Sequence, residues 1–462
     1  MTRRLITVLA LAGLLAAGRP AFAQEGGPAP SPFRGSVPQG TAAATPLPLS
    51  LQSTVERALQ FNLALLLQEE TAQSARGARW RALSDLLPRV SGSLSTRRQV
   101  INLEAFGFPA PDPIVGPFNT VDARIGLSQP LVDLRALYDA RAAGQAARAA
   151  AAGVKSAREL VVLVAVNLYL EAITAASRID VVRAQQDTAE ALAVQARDLK
   201  ASGLVAGIDV VRADVEVQRL RQRRVAADHA HAKALLALGR AIGLPPAQSL
   251  TLTDPIPYAP LAEVSLDQAL SDAYAQRPDY LAAKARLAAA ESARRAATAE
   301  LLPSLRLDAD YGTIGQSWGS AHPTYAMAAT LRVPVFEGGR AQARRLETDA
   351  ALKQRRAELD DLHARIDVEV REAALDVTAA AQELEAADAT VALAGQALTQ
   401  ARDRFAAGVT SNLEVTQAQE AVAAAADARL DVLYRHNLAK AQLARAVGTA
   451  EQAVTAFLGG TK

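Results

Sequence analysis

The chain has 462 residues, with 50 lysines and arginines against 48 aspartates and glutamates, and it has no cysteine. This near-neutral balance gives no basic surface field of the kind that holds nucleic acid, so no nucleic-acid partner is indicated. Disulfides are excluded as well, so an exported form of this chain must be stabilised by packing or by assembly.

The first 23 residues have the organisation of a secretion signal. Arg3 and Arg4 precede an apolar run from Leu5 to Ala17, and the small residues of "AFA" stand directly before Gln24. The apolar run is shorter than a membrane-spanning helix, and the three regions occur in the order of a signal peptide. We therefore predict a signal peptide over residues 1–23, with no cysteine after it to carry a lipid.

Two further segments are predicted to lack stable structure. Residues 24–48 contain six prolines with glycine and serine between them. Such a composition cannot bury a core, so we expect a disordered arm there. The last residues, 449–462, are predicted to form a flexible tail.

Between these segments the sequence repeats itself. "SLQSTVERAL" begins at Ser50 and "SLDQALSDAY" begins at Ser265, and "LLP" ends at Pro88 and again at Pro303, both at an offset of 215. Past that point the offset falls to 204, where "LSQPLV" at 127–132 matches "LRVPVF" at 331–336, so the first copy carries about 11 more residues between its "LLP" and its second proline. We expect these extra residues in a loop.

The repeat defines the predicted domain boundaries. A first unit over 50–246 and a second unit over 264–448 are joined by a linker at 247–263. Each unit is expected to contain a helix, a pair of strands and a long helical hairpin. The order of shared landmarks predicts an internal duplication.

Long helices follow the strand pair in each unit. Residues 136–200 contain 20 alanines and no proline, and residues 340–403 have the same character. Alanine is the strongest helix former, and a helix of this length would reach about 95 Å. The most apolar stretch, "ELVVLVAVNLYLEA" at 159–172, is interrupted by polar residues and is expected to be a buried helix face rather than a transmembrane helix.

Four segments alternate between apolar and polar residues. They are "RVSGSLSTRRQV" at 89–100, "TVDARIGLSQP" at 120–130, "SLRLDADYG" at 304–312 and "TYAMAATLRVP" at 324–334. Alternation over about ten residues is typical of a transmembrane β-strand, and a half-buried soluble sheet has the same pattern. Four strands cannot close a barrel, so a membrane location would require several protomers to share one.

The sequence resembles the TolC-type outer-membrane efflux proteins. The resemblance rests on the duplicated openings, on the two "LLP" ends, on "PVFEGGR" at 334–340 and on "GLVAGIDV" at 203–210. It implies a mainly α fold with a small β part. In that fold, long helical hairpins form a periplasmic α-barrel, and four strands per protomer contribute to a 12-strand transmembrane β-barrel in a homotrimer.

The repeated motif marks the ends of the two hairpins. Gly203 and Gly408 are expected to end the long helices as left-handed C′ residues, with Leu204 and Val409 in position for the hydrophobic contact that accompanies such a turn. The resemblance implies that these tips, which also include Val205 and Thr410, form the periplasmic aperture and the surface on which an adaptor protein docks.

Two acidic residues near the tips match aperture positions of the family. They are Asp209 and Glu414, and Gln417 stands where some members carry a second acid. Each acid also has a local interpretation. Glu414 fits a capping box with Ser411, and Asp209 fits a favourable first-turn acid or a pair with Arg212.

A further position bears on how the aperture is held closed. Phe405 stands where some members of the family carry a tyrosine that helps to hold the closed state. The hydroxyl of that tyrosine is therefore missing here.

These features predict a passive exit channel in the outer membrane, which works with a periplasmic adaptor protein and an inner-membrane pump. The alternative is a soluble periplasmic coiled-coil adaptor or scaffold. Neither an enzyme nor a cofactor is indicated, because no nucleophile, base and orienting group occur together. His229 and His231 face apart on a helix and do not suggest a metal site, and "FEGGR" is expected to be a strand-to-helix turn.

Overall fold

The structure is a computed structural model that describes residues 33, 35–109, 111–259, 265–407, 409–410 and 412–457. The predicted signal peptide lies outside the described residues. The described elements run twice in the same order. In the first half they are β1 (Leu47–Leu49), α1 (Leu51–Phe61), α2 (Leu63–Ser84), β2 (Arg89–Asn102), β3 (Ile114–Val132), α3 (Leu134–Ala201) and α4 (Gly207–Ala241).

The second half begins with β4 (Leu250–Leu252), which stands where the linker was expected. It continues with α5 (Leu266–Gln276), α6 (Pro278–Ala299), β5 (Ser304–Gly315), β6 (His322–Arg332), α7 (Arg340–Ala406), α8 (Asn412–Val447) and α9 (Ala450–Phe457). The two long helices and the four strands predicted from the sequence are all present. The fold is therefore mainly helical with a small β part, as predicted.

Three helices of the first half, α1, α2 and α3, start at residues whose side chains satisfy their first backbone N–H groups. Ser50 forms a capping box with Ser53 at the start of α1, and the Asn62 side chain accepts from the backbone N–H groups of Ala64 and Leu65 at the start of α2. The 68-residue helix α3 begins at Asp133, whose carboxylate accepts from Ala136 N at 2.8 Å. Side-chain caps of this kind fix where these three helices begin.

The four long strands form one antiparallel sheet in the order β2-β3-β5-β6. β3 pairs with β5 only from Val121 onwards, so its first residues, from Ile114 to Thr120, pair with β2 alone. The extra residues of the first unit were expected in a loop. They also lengthen the β2–β3 hairpin. In a longer hairpin the backbone N–H and C=O groups of the added residues can be satisfied by continued strand pairing.

The two faces of this sheet differ in polarity. On one face large apolar side chains are mostly exposed, including Leu94 (71%), Tyr325 (81%) and Met327 (72%). The other face carries polar contacts, since Ser128 donates to Asp308 at 2.6 Å and Arg124 donates to Thr324 at 3.2 Å. The alternation predicted from the sequence therefore gives an apolar surface that no described residue covers.

The proline-rich arm is ordered where it is described, so its predicted disorder is wrong for residues 35–48. β1 pairs in parallel with β4, and Leu49 is 1% exposed in the core. Asp254 of the linker accepts from Leu51 N at 2.7 Å, which ties the linker to the start of α1. This segment has a low intrinsic propensity for secondary structure, and backbone pairing to a part of the chain some 200 residues away holds it in place.

The C-terminal tail is also ordered over its first part, so its predicted flexibility is wrong up to Phe457. Ala450 and Ala453 of α9 are buried in the same core. The Glu159 carboxylate of α3 accepts from Ala450 N at 2.6 Å, and Arg158 pairs with Glu451. A carboxylate from another helix therefore satisfies the N-terminus of α9, which the sequence of the tail alone does not show.

The main core gathers around the apolar stretch of α3. Val161, Val166 and Leu170 are at most 1% exposed and pack with side chains from α1, α4 and α8. This stretch is long and apolar enough to cross a membrane by length and composition, yet 56% of it is buried within the protomer. The prediction of a buried helix face is confirmed.

A buried polar cluster holds the linker against α8. Asn437 donates to the carbonyl of Pro257 at 2.7 Å, and Lys440 donates to the carbonyl of Ala259 at 2.8 Å. His436 is 1% exposed beside the ring of Tyr258, at 5.9 Å between centroids. Burial lowers the pKa of His436, and the nearby ammonium of Lys440 lowers it further.

We predict that acid destabilises this cluster through His436. The pKa of its imidazole is lower in the folded protein than the unfolded value near 6.5. The folded state therefore disfavours the proton, and stability falls as the pH drops from about 6.5 through the folded pKa. His436→Gln should reduce the drop in thermal midpoint between pH 7.5 and pH 5 by on the order of 2 °C.

Differential scanning fluorimetry in detergent measures this effect. His322→Gln is the control, because His322 lies exposed at the start of β6 and should leave the acid sensitivity unchanged. Equal acid sensitivity in the wild type and in His436→Gln would contradict the prediction.

Candidate functional site: the hairpin tips

The first hairpin tip joins α3 to α4 through a tight left-handed turn. Gly203 has φ +75° and donates its N–H to the carbonyl of Lys200 at 3.0 Å. Leu204 donates its N–H to the carbonyl of Leu199 at 2.9 Å. These two bonds are those of a Schellman turn, in which a glycine at C′ takes the left-handed conformation. The prediction for Gly203 is confirmed.

The second tip has a counterpart of the second of these bonds. Val409 donates its N–H to the carbonyl of Arg404 at 3.0 Å, which is the counterpart of the bond from Leu204 to Leu199. Gly408 and Ser411 lie outside the described residues. The left-handed conformation of Gly408 and the capping box of Ser411 with Glu414 therefore stay predictions.

The two hairpins pack together near their tips through a small apolar cluster. Phe405 and Val415 are at most 2% exposed, and they pack with Leu192 and Ala401. Val205 packs against this cluster. The ring of Phe405 therefore lies in the core between the hairpins.

Leu204 and Val409 lie outside this cluster. They are 72% and 70% exposed, so the hydrophobic contact expected after each glycine does not bury them. Their side chains extend beyond the turn, where the neighbouring helices end. They are the most accessible apolar groups of the described part of the tips.

Each of the two predicted aperture acids has an arginine neighbour. Asp209 is buried in the first turn of α4, and its Oδ1 lies 3.7 Å from Nη1 of Arg212. Glu414 is partly exposed, accepts from the hydroxyl of Thr410, and lies 3.5 Å from Nη1 of Arg404. Both acids thus contact a basic side chain within one protomer. Asp209 fits both of its local interpretations, as an acid in the first turn of a helix and as the partner of Arg212.

Gln417 lies apart from these pairs. It is exposed on α8, one turn beyond Glu414. The structure therefore leaves its amide on the surface of the second hairpin. It carries no charge that could add to that of Glu414.

The sequence did not single out the arginines that join the elements at this end. Arg404 lies in the last turn of α7, where a basic side chain is favoured by the helix dipole, so its position could have been noticed. Arg219 of α4 bridges Glu216 at 2.9 Å and Glu420 of α8 at 2.6 Å. This second link depends on which helices become neighbours, and no local pattern marks it.

Within the described residues, no group of three or more metal-ligating side chains occurs. The "FEGGR" segment lies between β6 and α7, where Gly339 has φ +84° at the start of the helix. It is a strand-to-helix turn, as predicted. The site consists of two helix ends, exposed apolar side chains and ion pairs, an arrangement suited to contact with another protein.

Comparisons with known proteins show which proteins this chain is similar to. A family model for outer membrane efflux proteins matches residues 269–449. The pyoverdine export outer membrane protein OpmQ of Pseudomonas aeruginosa is 26% identical over 419 residues, which cover 86% of this chain and 85% of OpmQ. Over these residues the chain is similar to the outer membrane efflux proteins.

Two further proteins are similar to this chain, one in sequence and one in fold. Protein CyaE of Bordetella pertussis is 29% identical over 297 residues, which cover 61% of this chain and 62% of CyaE, so the match spans less than two thirds of that protein. A crystal structure of CusC has the same fold, with a TM-score of 0.75 at 19% identity over 89% of this chain and 99% of that chain.

The comparisons favour one of the two classes of function that the sequence left open. The matching family model and OpmQ are both described as outer-membrane proteins, which favours the outer-membrane export class over the soluble adaptor. OpmQ is named as an export protein and the CusC study describes a transmembrane channel. That this chain itself catalyses no reaction stays a prediction.

We predict that Gly203 is needed for the shape of the first tip. A Cβ at this position would meet no atom within 4 Å, so the cost of a side chain comes only from its positive φ. Gly203→Val should cost about 1 kcal/mol or more and should splay the hairpin, because β-branched residues avoid the left-handed region. Export by cells that carry this protein as their only outer-membrane duct should fall, while assembly survives.

Gly203→Asn is the matched control, since asparagine tolerates a left-handed backbone. It should retain most of the export that valine loses. The tip assignment is wrong if the valine variant exports as well as the wild type.

We also predict that Glu414 contributes negative charge at the aperture. In Glu414→Gln the amide can still accept from Thr410, while the charge next to Arg404 is lost. The reversal potential in a planar bilayer should shift towards lower cation preference, and divalent-cation block should weaken. Thermal stability should change by less than about 1 kcal/mol, because a partly exposed ion pair contributes little.

Asp209→Asn should act in the same direction but more weakly, because Asp209 is buried beside Arg212. High salt should reduce both effects, since exposed charges are screened over about 8 Å at physiological ionic strength. If the double variant keeps the wild-type reversal potential and block, the two acids act only within their own helices.

Proposed function

We propose that this protein is the exit duct of a tripartite efflux or type I secretion system, assembled as a homotrimer. The observation that carries the proposal is the sheet, which has one exposed apolar face and two unpaired edge strands, β2 and β6. An open sheet edge is unstable in lipid, because each unpaired backbone group costs several kcal/mol there. Three copies of four strands give a closed barrel of 12.

The helices expose edges on the same two sides as the sheet. α3 packs against α2, α4, α6 and α8, whereas α7 packs against α6 and α8. One side of the protomer therefore ends in β2, α2 and α4, all from the first half of the chain. The other side ends in β6 and α7, from the second half. A head-to-tail contact between these sides can close into a ring.

Exposed apolar side chains on both helical edges support this contact. On α4, Ile208, Val211 and Val215 are 54–60% exposed at spacings of three and four residues. On α7, Val368, Leu375 and Leu393 are 51–69% exposed. Spacings of three and four place side chains on one helix face, as in a coiled-coil seam. The same subunit contact thus covers the strand edges and the helix edges.

The remaining parts of the proposal concern the working surfaces. The polar face of the sheet, with Arg124 and Asp308, would line the lumen, and the apolar face would meet the lipid. At the far end, Leu204 and Val409 would contact the periplasmic adaptor protein, with Val205 and Thr410 beside them. The two acids, Asp209 and Glu414, would lie near the aperture together with Gln417. Energy for transport would come from an inner-membrane pump.

We predict that the purified protein in detergent has three times the mass of one mature chain and forms conducting pores in a planar bilayer. Val211→Glu should abolish both properties, because it places a carboxylate in the apolar seam of every subunit contact. Native mass spectrometry and bilayer recordings measure the two outcomes.

Val194→Glu is the matched control. Val194 is 52% exposed on α3, which has neighbouring helices on both sides within the protomer. This variant should remain trimeric and conducting. A wild-type protein that stays monodisperse and monomeric without detergent would contradict the proposed function.

A further inference from the structure

A basic groove lies between α2, α3 and α6, directly below the strand sheet. It has a volume of about 590 Å³. Its walls come from Leu83 of α2 and Leu86 just after it, from Leu137 to Arg148 of α3, and from Ala288 to Arg295 of α6. Gly144 forms part of the α3 wall, and a Cβ there would meet no atom within 4 Å. The groove is therefore open at its middle.

The charge of the groove is strongly unbalanced. Four arginines line it: Arg79, Arg141, Arg148 and Arg295. None of them forms an ion pair with any residue in the described part of the chain. The one acid of the wall, Glu291, lies 4.0 Å from Arg356, outside the groove. Most other arginines of the long helices have carboxylate partners, so these four stand out as a set of unused donors.

The groove lies at the level where the membrane is expected to end. Leu86, the first residue of the "LLP" end, contributes to its wall, and the exposed apolar side chain of Val90 follows four residues later on β2. Trp80, next to Arg79, is 69% exposed. Tryptophan beside basic residues is typical of the interface between lipid and water.

The groove faces away from the polar side of the sheet. Arg135 and Asp139 of α3 line a separate pocket with Arg306, on the polar face of the strands. Because successive residues turn by about 100° around a helix, Arg141 and Arg148 lie on the opposite side of α3 from Asp139. In the proposed assembly this opposite side is the outer surface of the α-barrel.

Other occupants fit the groove less well. It lies on the side of α2 that faces α3 and α6 within one protomer, so a second copy packed against the outer side of α2 would leave it open. The hairpin tips, where an adaptor would dock, are separated from it by most of the length of α3. At 1.5 Å per residue, the interval from Arg148 to Ala201 is about 80 Å.

We propose that this groove binds the phosphate headgroups of an anionic phospholipid from the membrane leaflet that faces the helices. Guanidinium groups match phosphate oxygens by paired hydrogen bonds, and four of them in one groove suit a headgroup with more than one negative charge. The apolar side chains of Leu83, Leu86 and Trp80 lie towards the acyl chains. The inference requires the outer-membrane location but not the conducting pore.

The test uses the delipidated full-length protein in detergent and measures bound lipid by native mass spectrometry. Cardiolipin should bind, phosphatidylcholine should bind much more weakly, and inorganic phosphate should not displace cardiolipin at equal concentration. Each interfacial arginine contributes about 1 kcal/mol towards anionic lipid. Arg148→Gln should therefore weaken cardiolipin binding about fivefold. Arg223→Gln, which removes an exposed arginine of α4 without an ion pair, should leave binding unchanged.

A second pair of variants leaves every arginine in place. Gly144→Glu puts a carboxylate in the open middle of the groove, and Gly144→Gln adds a side chain of the same size without charge. Both replace a mid-helix glycine with a better helix former, so neither should impair folding. The glutamate variant should bind cardiolipin about fivefold more weakly than the glutamine variant.

Three outcomes would overturn the proposal. They are equal binding by the Glu and Gln variants, an equal loss in Arg223→Gln, and displacement of cardiolipin by inorganic phosphate. Bilayer conductance of Gly144→Glu separates this inference from the proposed function. A variant that conducts but loses lipid supports the groove, whereas a wild type that binds lipid without conducting contradicts only the duct.

Discussion

Within one protomer the sheet has no partner for its two edge strands and no cover for its apolar face, and the rest of the structure follows from this. Its two outer strands present unpaired backbone groups, and one of its faces exposes Leu94, Tyr325 and Met327. Neither feature is stable in water, and the open edges are not stable in lipid either. A ring of protomers in a membrane satisfies both requirements, because it pairs every edge and gives the apolar face a lipid partner.

In the proposed assembly the helices extend the subunit contact over a much greater length. Their alanine content allows close packing within the protomer, while α4 and α7 keep larger apolar side chains on the outer edges. The first half of the chain supplies one edge and the second half supplies the other. In the proposed assembly these two edges meet head to tail, which can close into a ring.

Charge is distributed differently at the two ends of the helices. At the tips, acids and arginines occur in pairs within one protomer, such as Asp209 with Arg212 and Glu414 with Arg404. Near the sheet, the groove of α2, α3 and α6 gathers four arginines that have no carboxylate partner among the described residues. Unpaired arginines suit contact with a permanently anionic surface.

The sequence by itself determined the elements with strong local signals. Alanine-rich tracts predicted the long helices, and period-two alternation predicted the four strands. The repeated glycine of the tips, at Gly203, predicted the left-handed turn. Each of these features depends on neighbouring residues alone.

Only the tertiary structure determined how the arm, the linker and the tail pack against the rest of the chain. β1 pairs with β4, and Glu159 caps α9, through contacts between segments that lie some 200 to 290 residues apart. It also decided that Leu204 is exposed, that Phe405 is buried between the hairpins, and that Arg219 joins α4 to α8. Burial and ion pairing of this kind depend on which helices become neighbours, and no local pattern encodes that choice.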